Sequence, residues 1–144
     1  MTVALDTSVV VAALLADHEA HARALRAVQN LFGSEDEAIV PYPVVVEAYA
    51  VMTRLPPPLR VEPADAEKLL RTTFERRARV VQTEATKAWG FVGDLVRSNV
   101  RGGTAYDAQI IACAIDADAG EILTFNERHF RRVAPRTIHV RAPS

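Results

Sequence analysis

Three carboxylates far apart along the chain, Asp6, Glu47 and Asp107, occupy positions where an acidic side chain is costly unless it has a task. Asp6 ends the apolar run Thr2 to Leu5 and is followed by Thr7 and Ser8. Glu47 shares a helical stripe with Val44, Val51 and Leu55, a face that should look into a core. A buried, unpaired carboxylate costs several kcal/mol, so Glu47 needs a cationic partner, a proton or a metal ion. Asp107 opens a segment whose apolar face is Ile110, Ile111, Ala114 and Ile115. Three such groups brought together repel one another unless a divalent cation sits between them. Hard oxygen ligands select Mg²⁺, with Mn²⁺ as a substitute, over zinc, and ions of this kind commonly hold phosphate.

Each residue also has an ordinary alternative. Asp6 can cap a helix, and Glu47 can pair with an arginine from elsewhere in the fold, since Arg54, two helical turns on, is expected to be too far. Thr104-Ala105-Tyr106-Asp107 has the spacing of a capping box. Asn126 can cap a short helix beginning at Glu127, or act as a neutral oxygen ligand, while Thr7, Ser8 and Thr124 can orient ligands or water. Competing chemistries fit less well. His18-Glu19-Ala20-His21 is one residue short of a zinc-protease helix, and an Asp-x-Asp phosphatase nucleophile would need an acid where Ser8 stands. The chain has no cysteine pair, no Gly-x-Ser-x-Gly elbow and no Gly-x-x-x-x-Gly-Lys loop.

The elements that must position these residues alternate in type. Short β-branched runs at Thr2 to Leu5, Ala38 to Val40, Arg79 to Gln82, Glu121 to Thr124 and Thr137 to Val140 read as strands. Helix-period segments lie between them at about 8–15, 19–31, 43–54, 63–76, 84–99 and 106–118. This is the pattern of an α/β fold whose parallel sheet is covered by helices on both faces. Pro41 and Pro43 stop the second strand, Pro56-Pro57-Pro58 ends the third helix, and Pro63 suits the first turn of the fourth. Thr83 is placed to cap the fifth helix, and Gly120 to close the sixth. Ligands in open α/β sheets bind beyond the carboxyl ends of strands, which selects Asp6, Thr7 and Ser8 after the first strand, Pro41 and Tyr42 after the second, and Thr124 and Asn126 at the end of the fourth.

A chain of 144 residues is expected to form a single domain with one core over 1–144. Its hydrophobic share of 49% is too high for a disordered chain. The longest apolar stretch, Val9 to Ala16, is well short of the roughly 20 residues a spanning helix needs. No Lys or Arg precedes Arg23, so a secretory signal is not expected, and the lone Cys113 fits a reducing cytoplasm. The formal net charge of −1 excludes a strongly basic nucleic-acid coat.

In this order and spacing the segments resemble the PIN domain, and within it the VapC-type toxins of bacterial toxin–antitoxin pairs. The carriers are Val3-Ala4-Leu5-Asp6-Thr7-Ser8, Val45-Val46-Glu47-Ala48, Tyr106-Asp107-Ala108-Gln109-Ile110-Ile111-Ala112, and Ile122-Leu123-Thr124-Phe125-Asn126 followed by His129-Phe130. The resemblance runs over most of the chain. It implies a PIN-like three-layer α/β/α sandwich around a mostly parallel sheet of about five strands. It further implies a Mg²⁺-dependent endoribonuclease that leaves a 5′-phosphate and a 3′-hydroxyl, with Asp6, Glu47 and Asp107 holding the metal. A homodimer, an RNA substrate and a cognate antitoxin follow from the same likeness. A fourth acid often stands at the position of Asn126, so a two-metal mechanism is not assumed. Arg101, Arg128, Arg131 and Arg132 fall near the same sheet edge and are candidates to grip RNA phosphates. Two other readings stay open: a PIN-like module that binds RNA or protein without cutting, and a metal-dependent DNA nuclease.

Overall fold

The computed structural model describes residues 1–144. Its sheet is built from β1 (Thr2–Leu5), β2 (Glu37–Pro41), β3 (Arg79–Val81), β4 (Glu121–Leu123) and β5 (His139–Arg141) in the spatial order β3-β2-β1-β4-β5. Every neighbouring pair is parallel, so the expected mostly parallel sheet is wholly parallel. The three central strands are apolar because both of their faces are covered. The two edge strands keep exposed Arg79, Val80, His139 and Arg141.

The helices are α1 (Thr7–Leu14), α2 (His21–Phe32), α3 (Tyr42–Arg54), α4 (Pro63–Leu70), α5 (Ala88–Arg97), α6 (Thr104–Asp116) and α7 (Glu127–Val133). A π-helical turn at Arg71–Glu75 extends α4, and a 3₁₀ turn at Ala85–Lys87 leads into α5. From β1 the chain steps outward to β2 and β3, then returns to the other side of β1 for β4 and β5. Crossovers between parallel strands are right-handed, so this reversal sends α1 to α4 to one face and α6 and α7 to the other. The packing agrees: α1 touches α2 and α3, α3 touches α4, and α6 touches α7. Between β1 and β4 the strand order reverses, and the carboxyl ends of those two strands flank the crevice that results. Beneath it Leu5, Val9, Ile39, Val44, Met52, Ile110 and Ile122 form part of one apolar cluster.

β2 ends at Pro41, one residue later than expected, and α3 starts at Tyr42 with Pro43 in its first turn. Thr83 caps nothing, because the 3₁₀ turn places Glu84 ahead of the helix, without a side-chain capping bond. Helix α6 is closed not by Gly120 but by Asp118, which adopts φ 55°. Ala119 N–H donates to the Ala114 carbonyl and Asp118 N–H to that of Ile115, satisfying the free carbonyls of the last turn. Gly120 is small for another reason: a Cβ there would lie 2.9 Å from the Met1 sulfur.

Candidate active site

Asp6 stands at the top of β1, directly before α1, and is only 3% exposed. As the N-cap of α1 its Oδ2 accepts from Ser8 N–H at a long 3.4 Å. The tighter bonds come from hydroxyls. Thr124 Oγ1 donates to Oδ2 at 2.7 Å and Ser8 Oγ donates at 2.8 Å. Each hydroxyl is held in turn by the loop after β4, with Asn126 N–H donating to Thr124 Oγ1 at 2.9 Å and Phe125 N–H donating to Ser8 Oγ at 3.0 Å. Asp6 therefore ties the ends of β1 and β4 together across the switch point. Burial pushes its carboxyl above the usual value, against the pull of Thr124, Ser8 and the backbone of Thr7 and Ser8.

Glu47 corrects one expectation. It does not lie on the core-facing stripe of α3, which is formed instead by Val44, Ala48 and Met52. Two stripes one residue apart are compatible with the same helix, and the small Ala48 fits the packed side while Glu47 stays at its exposed edge. Its carboxylate is nonetheless within electrostatic reach of Asp6 and Asp107. Desolvation by surrounding protein and the charges of Asp6 and Asp107 raise its pKa, opposed by Thr7 and Arg54. Arg54 is thus within electrostatic reach, although it forms no ion pair with Glu47, and the salt-bridge alternative falls away. The Thr7 hydroxyl is near enough to favour the charged form, but its geometry falls short of a hydrogen bond, leaving Oγ1 as a buried side-chain polar atom without a partner.

Asp107 sits in the first turn of α6, and the expected capping box does not form. The N-cap is Gly103, one residue earlier than the box requires, and no side chain caps the helix. The Asp107 carboxyl is raised by burial and by the charge of Asp6, while His129 on α7 works in the opposite direction. His129 is a neighbour that spacing did not single out. It lies one helical turn after Asn126, which is the signal that could have found it.

The three carboxylates come from β1, α3 and α6, and each raised value reflects a carboxylate crowded by protein, by another carboxylate, or by both. They do not close into a complete ligand set, since no three His, Cys, Asp or Glu side chains are arranged to hold an ion. Mutual repulsion of uncompensated charges acts against such closure. The chemistry of the donors still fits a hard divalent cation: carboxylate oxygens, an unpartnered buried hydroxyl at Thr7, and charge that the protein itself does not neutralise.

The remaining candidates are distributed more loosely. Asn126 occupies the N-cap position of α7 but its side chain makes no capping bond, so the exposed amide is unengaged. Arg131 is taken up by Glu127 on its own helix, and Arg101 Nε donates to Asn99. Arg128 and Arg132 are exposed on α7.

The PIN domain family model matches residues 3–135, which is nearly the whole of this fold. The chain belongs to the PIN-domain family. Among curated proteins this PIN chain is similar to ribonuclease VapC27 of Mycobacterium tuberculosis, at 33% identity over 125 residues, 87% of this chain and 85% of that one. It is also similar to ribonuclease VapC40 of the same organism, at 32% identity over 122 residues, 85% of this chain and 84% of the other. Among solved structures, VapBC2 from Rickettsia felis, bound to a DNA fragment from its promoter, superposes with TM-score 0.71 at 16% identity, covering all of both chains. The sarcin–ricin loop cleaving toxin VapC20 of M. tuberculosis superposes with TM-score 0.68 at 20% identity, covering 88% of this chain and 92% of that one. At these identities the superpositions establish the fold.

Proposed function

We propose that this PIN domain is a Mg²⁺-dependent endoribonuclease and the toxin of a toxin–antitoxin pair. The observation that carries the reading is that Asp6, Glu47 and Asp107, from three separate elements, are within electrostatic reach of one another in a fold shared with proteins named ribonucleases. Asp6, Asp107 and Glu47 would hold the ion, with Mn²⁺ able to replace Mg²⁺. A bound divalent ion supplies Lewis-acid stabilisation of the charge that builds on the scissile phosphate.

The chain's own groups do the positioning. Ser8 and Thr124 fix Asp6 through two short hydroxyl bonds, so its free oxygen keeps one direction. Glu47, the most open of the three, would hold the ion from the solvent side of the crevice. Water oxygen would bond to phosphorus with loss of a proton to solvent, the bond from phosphorus to the ribose 3′-oxygen would break, and that oxygen would take a proton from solvent, leaving a 5′-phosphate and a 3′-hydroxyl. Asn126 and Thr7 line the same crevice and support ligands without adding charge. Arg128 and Arg132, free of ion pairs, are the better phosphate contacts of the four arginines.

The test compares a single-stranded RNA with its matched DNA, with Mg²⁺ and with chelator, for the parent and Asp107→Asn. RNA-selective, chelator-sensitive cleavage that the variant lacks supports the reading; equal cleavage by the variant refutes it. Asn126 and the incomplete ligand set favour one second reading, a PIN fold that binds RNA or a partner protein without cutting. Calorimetric Mg²⁺ titration that releases no heat, together with RNA binding, would select it.

A homodimer is part of the same proposal, and α5 is the surface suited to it. None of its residues is buried, and Trp89, Val92 and Val96 stand 86%, 49% and 75% exposed on one stripe with Gly93. In an antiparallel copy each Trp89 would face the partner's Val96 and each Val92 the partner's Gly93, beside which the Arg97 guanidinium lies. Such self-complementarity is what a two-fold interface requires. A cognate antitoxin is the remaining partner; the structural neighbours that are VapBC complexes support it.

A further inference from the structure

Arg23 is placed unlike the other arginines. It lies in the first turn of α2, at the positive end of the helix dipole, and that turn has neither an acidic residue nor a side-chain cap. It is exposed and takes part in no ion pair or hydrogen bond, yet its guanidinium is held over the Phe125 ring, 5.2 Å from the centroid. Phe125 belongs to the loop that carries Thr124 and Asn126. Its N–H donates to Ser8 Oγ, which donates to Asp6 Oδ2. The backbone of the residue whose ring carries Arg23 is therefore two hydrogen bonds from the central carboxylate. The only other arginine over an aromatic ring, Arg77 over Phe32, lies near the start of β2, at the opposite end of the strands.

A cation at a helix start with no counter-charge is electrostatically mismatched, and stacking on Phe125 fixes it in place while leaving its N–H edge free. A phosphate would satisfy both the guanidinium and the uncapped helix start. The crevice also needs such a group, because three carboxylates repel an incoming nucleic-acid backbone. We infer that Arg23, held on Phe125, anchors a backbone phosphate of the RNA next to the scissile bond; this rests on the ribonuclease reading above. The planar fork suits two oxygens of one phosphate, which a lysine at the same place does not match.

The test uses the full chain and a short single-stranded RNA with Mg²⁺, for the parent, Arg23→Ala, Arg23→Lys and Phe125→Leu. Arg23→Ala should raise KM about tenfold with kcat nearly unchanged, and flatten the dependence of log KM on log salt by roughly 0.7, the share of one phosphate contact on a single strand. Arg23→Lys should keep the salt slope but not the low KM, and Phe125→Leu should raise KM with the charge still present. The Arg23 variants should melt with the parent, since Arg23 is exposed, whereas Phe125→Leu should melt lower because Phe125 packs against the core, and its KM is read well below its own Tm; if Arg23→Ala does not fold, Arg23→Gln carries the same readouts. Parent values of KM and salt slope in Arg23→Ala, with the parent cleaving normally, overturn this inference and leave the ribonuclease reading standing. A parent that cleaves no RNA overturns both.

Discussion

Asp6→Asn should stabilise the metal-free protein while removing its activity. Asn and Asp are equally good N-caps, so the exchange keeps the start of α1 and isolates the charge. Relieving a buried carboxylate returns several kcal/mol, here taken as about 3. Removing its repulsion with Glu47 and Asp107, both partly solvated, adds about 1. Against this, the bonds from Ser8 Oγ and Thr124 Oγ1 lose their charge assistance, about 1 each. The net is a gain of about 2 kcal/mol. At about 2.1 cal/mol/K per residue, a chain of 144 residues has an unfolding entropy near 0.3 kcal/mol/K, so Tm should rise by about 6 °C. Thermal unfolding in chelator measures this directly. Adding Mg²⁺ should then stabilise the parent and narrow the gap, because only the parent gains a counter-charge. A variant that melts at or below the parent in chelator would refute the reasoning and leave Asp6 as a helix cap alone.

Other outcomes follow from the same geometry. Folded-state values for Asp6, Glu47 and Asp107 all lie above the usual 3.8 for Asp and 4.5 for Glu. Between the ordinary and raised values the folded chain binds more protons than the unfolded one, so this contribution to stability is full below those ordinary values and lost as pH climbs. Urea unfolding of parent and Asp107→Asn in chelator should therefore coincide below pH 3.8 and diverge towards neutrality, with the variant the more stable. Glu121 has the opposite sign. Burial raises it, but Arg141 and His139 outweigh burial and hold it below 4.5. Glu121→Gln should cost about 1–2 kcal/mol at pH 7, less than a fully buried pair because Arg141 is 45% exposed, and the cost should fade as pH falls below 4.5. Trp89→Asp on the outer stripe of α5 should leave Tm nearly unchanged and convert a dimer to a monomer, read by light scattering during gel filtration.

What the sequence revealed was set by how local the physics was. β1 is recovered at its full length, because an apolar run ending in Asp-Thr-Ser leaves no other strand. The helix α3 was equally clear, yet the depth of Glu47 was not. A helical period allows a stripe through residue 47 or through residue 48, and only packing against α1 selects Ala48. The closure of α6 failed for a related reason. Glycine is the commonest left-handed residue, but Asp118 adopts that conformation here, while Gly120 lies against the Met1 side chain from the far end of the sequence. Asp107 carried a capping-box spacing that the structure does not use. His129 and Arg23 acquire their places only through tertiary packing, His129 when α7 meets α6 and Arg23 when the loop after β4 meets α2.

The central claim is that Asp6, Glu47 and Asp107 act together on one divalent ion. Titration of Mn²⁺ followed by electron paramagnetic resonance reads the free ion directly, with no substrate needed. The account predicts that the parent withdraws Mn²⁺ from solution, that Mg²⁺ competes for the same site, and that Asp6→Asn, Glu47→Gln and Asp107→Asn each weaken binding at least tenfold. Three variants that retain Mn²⁺ as tightly as the parent would contradict it.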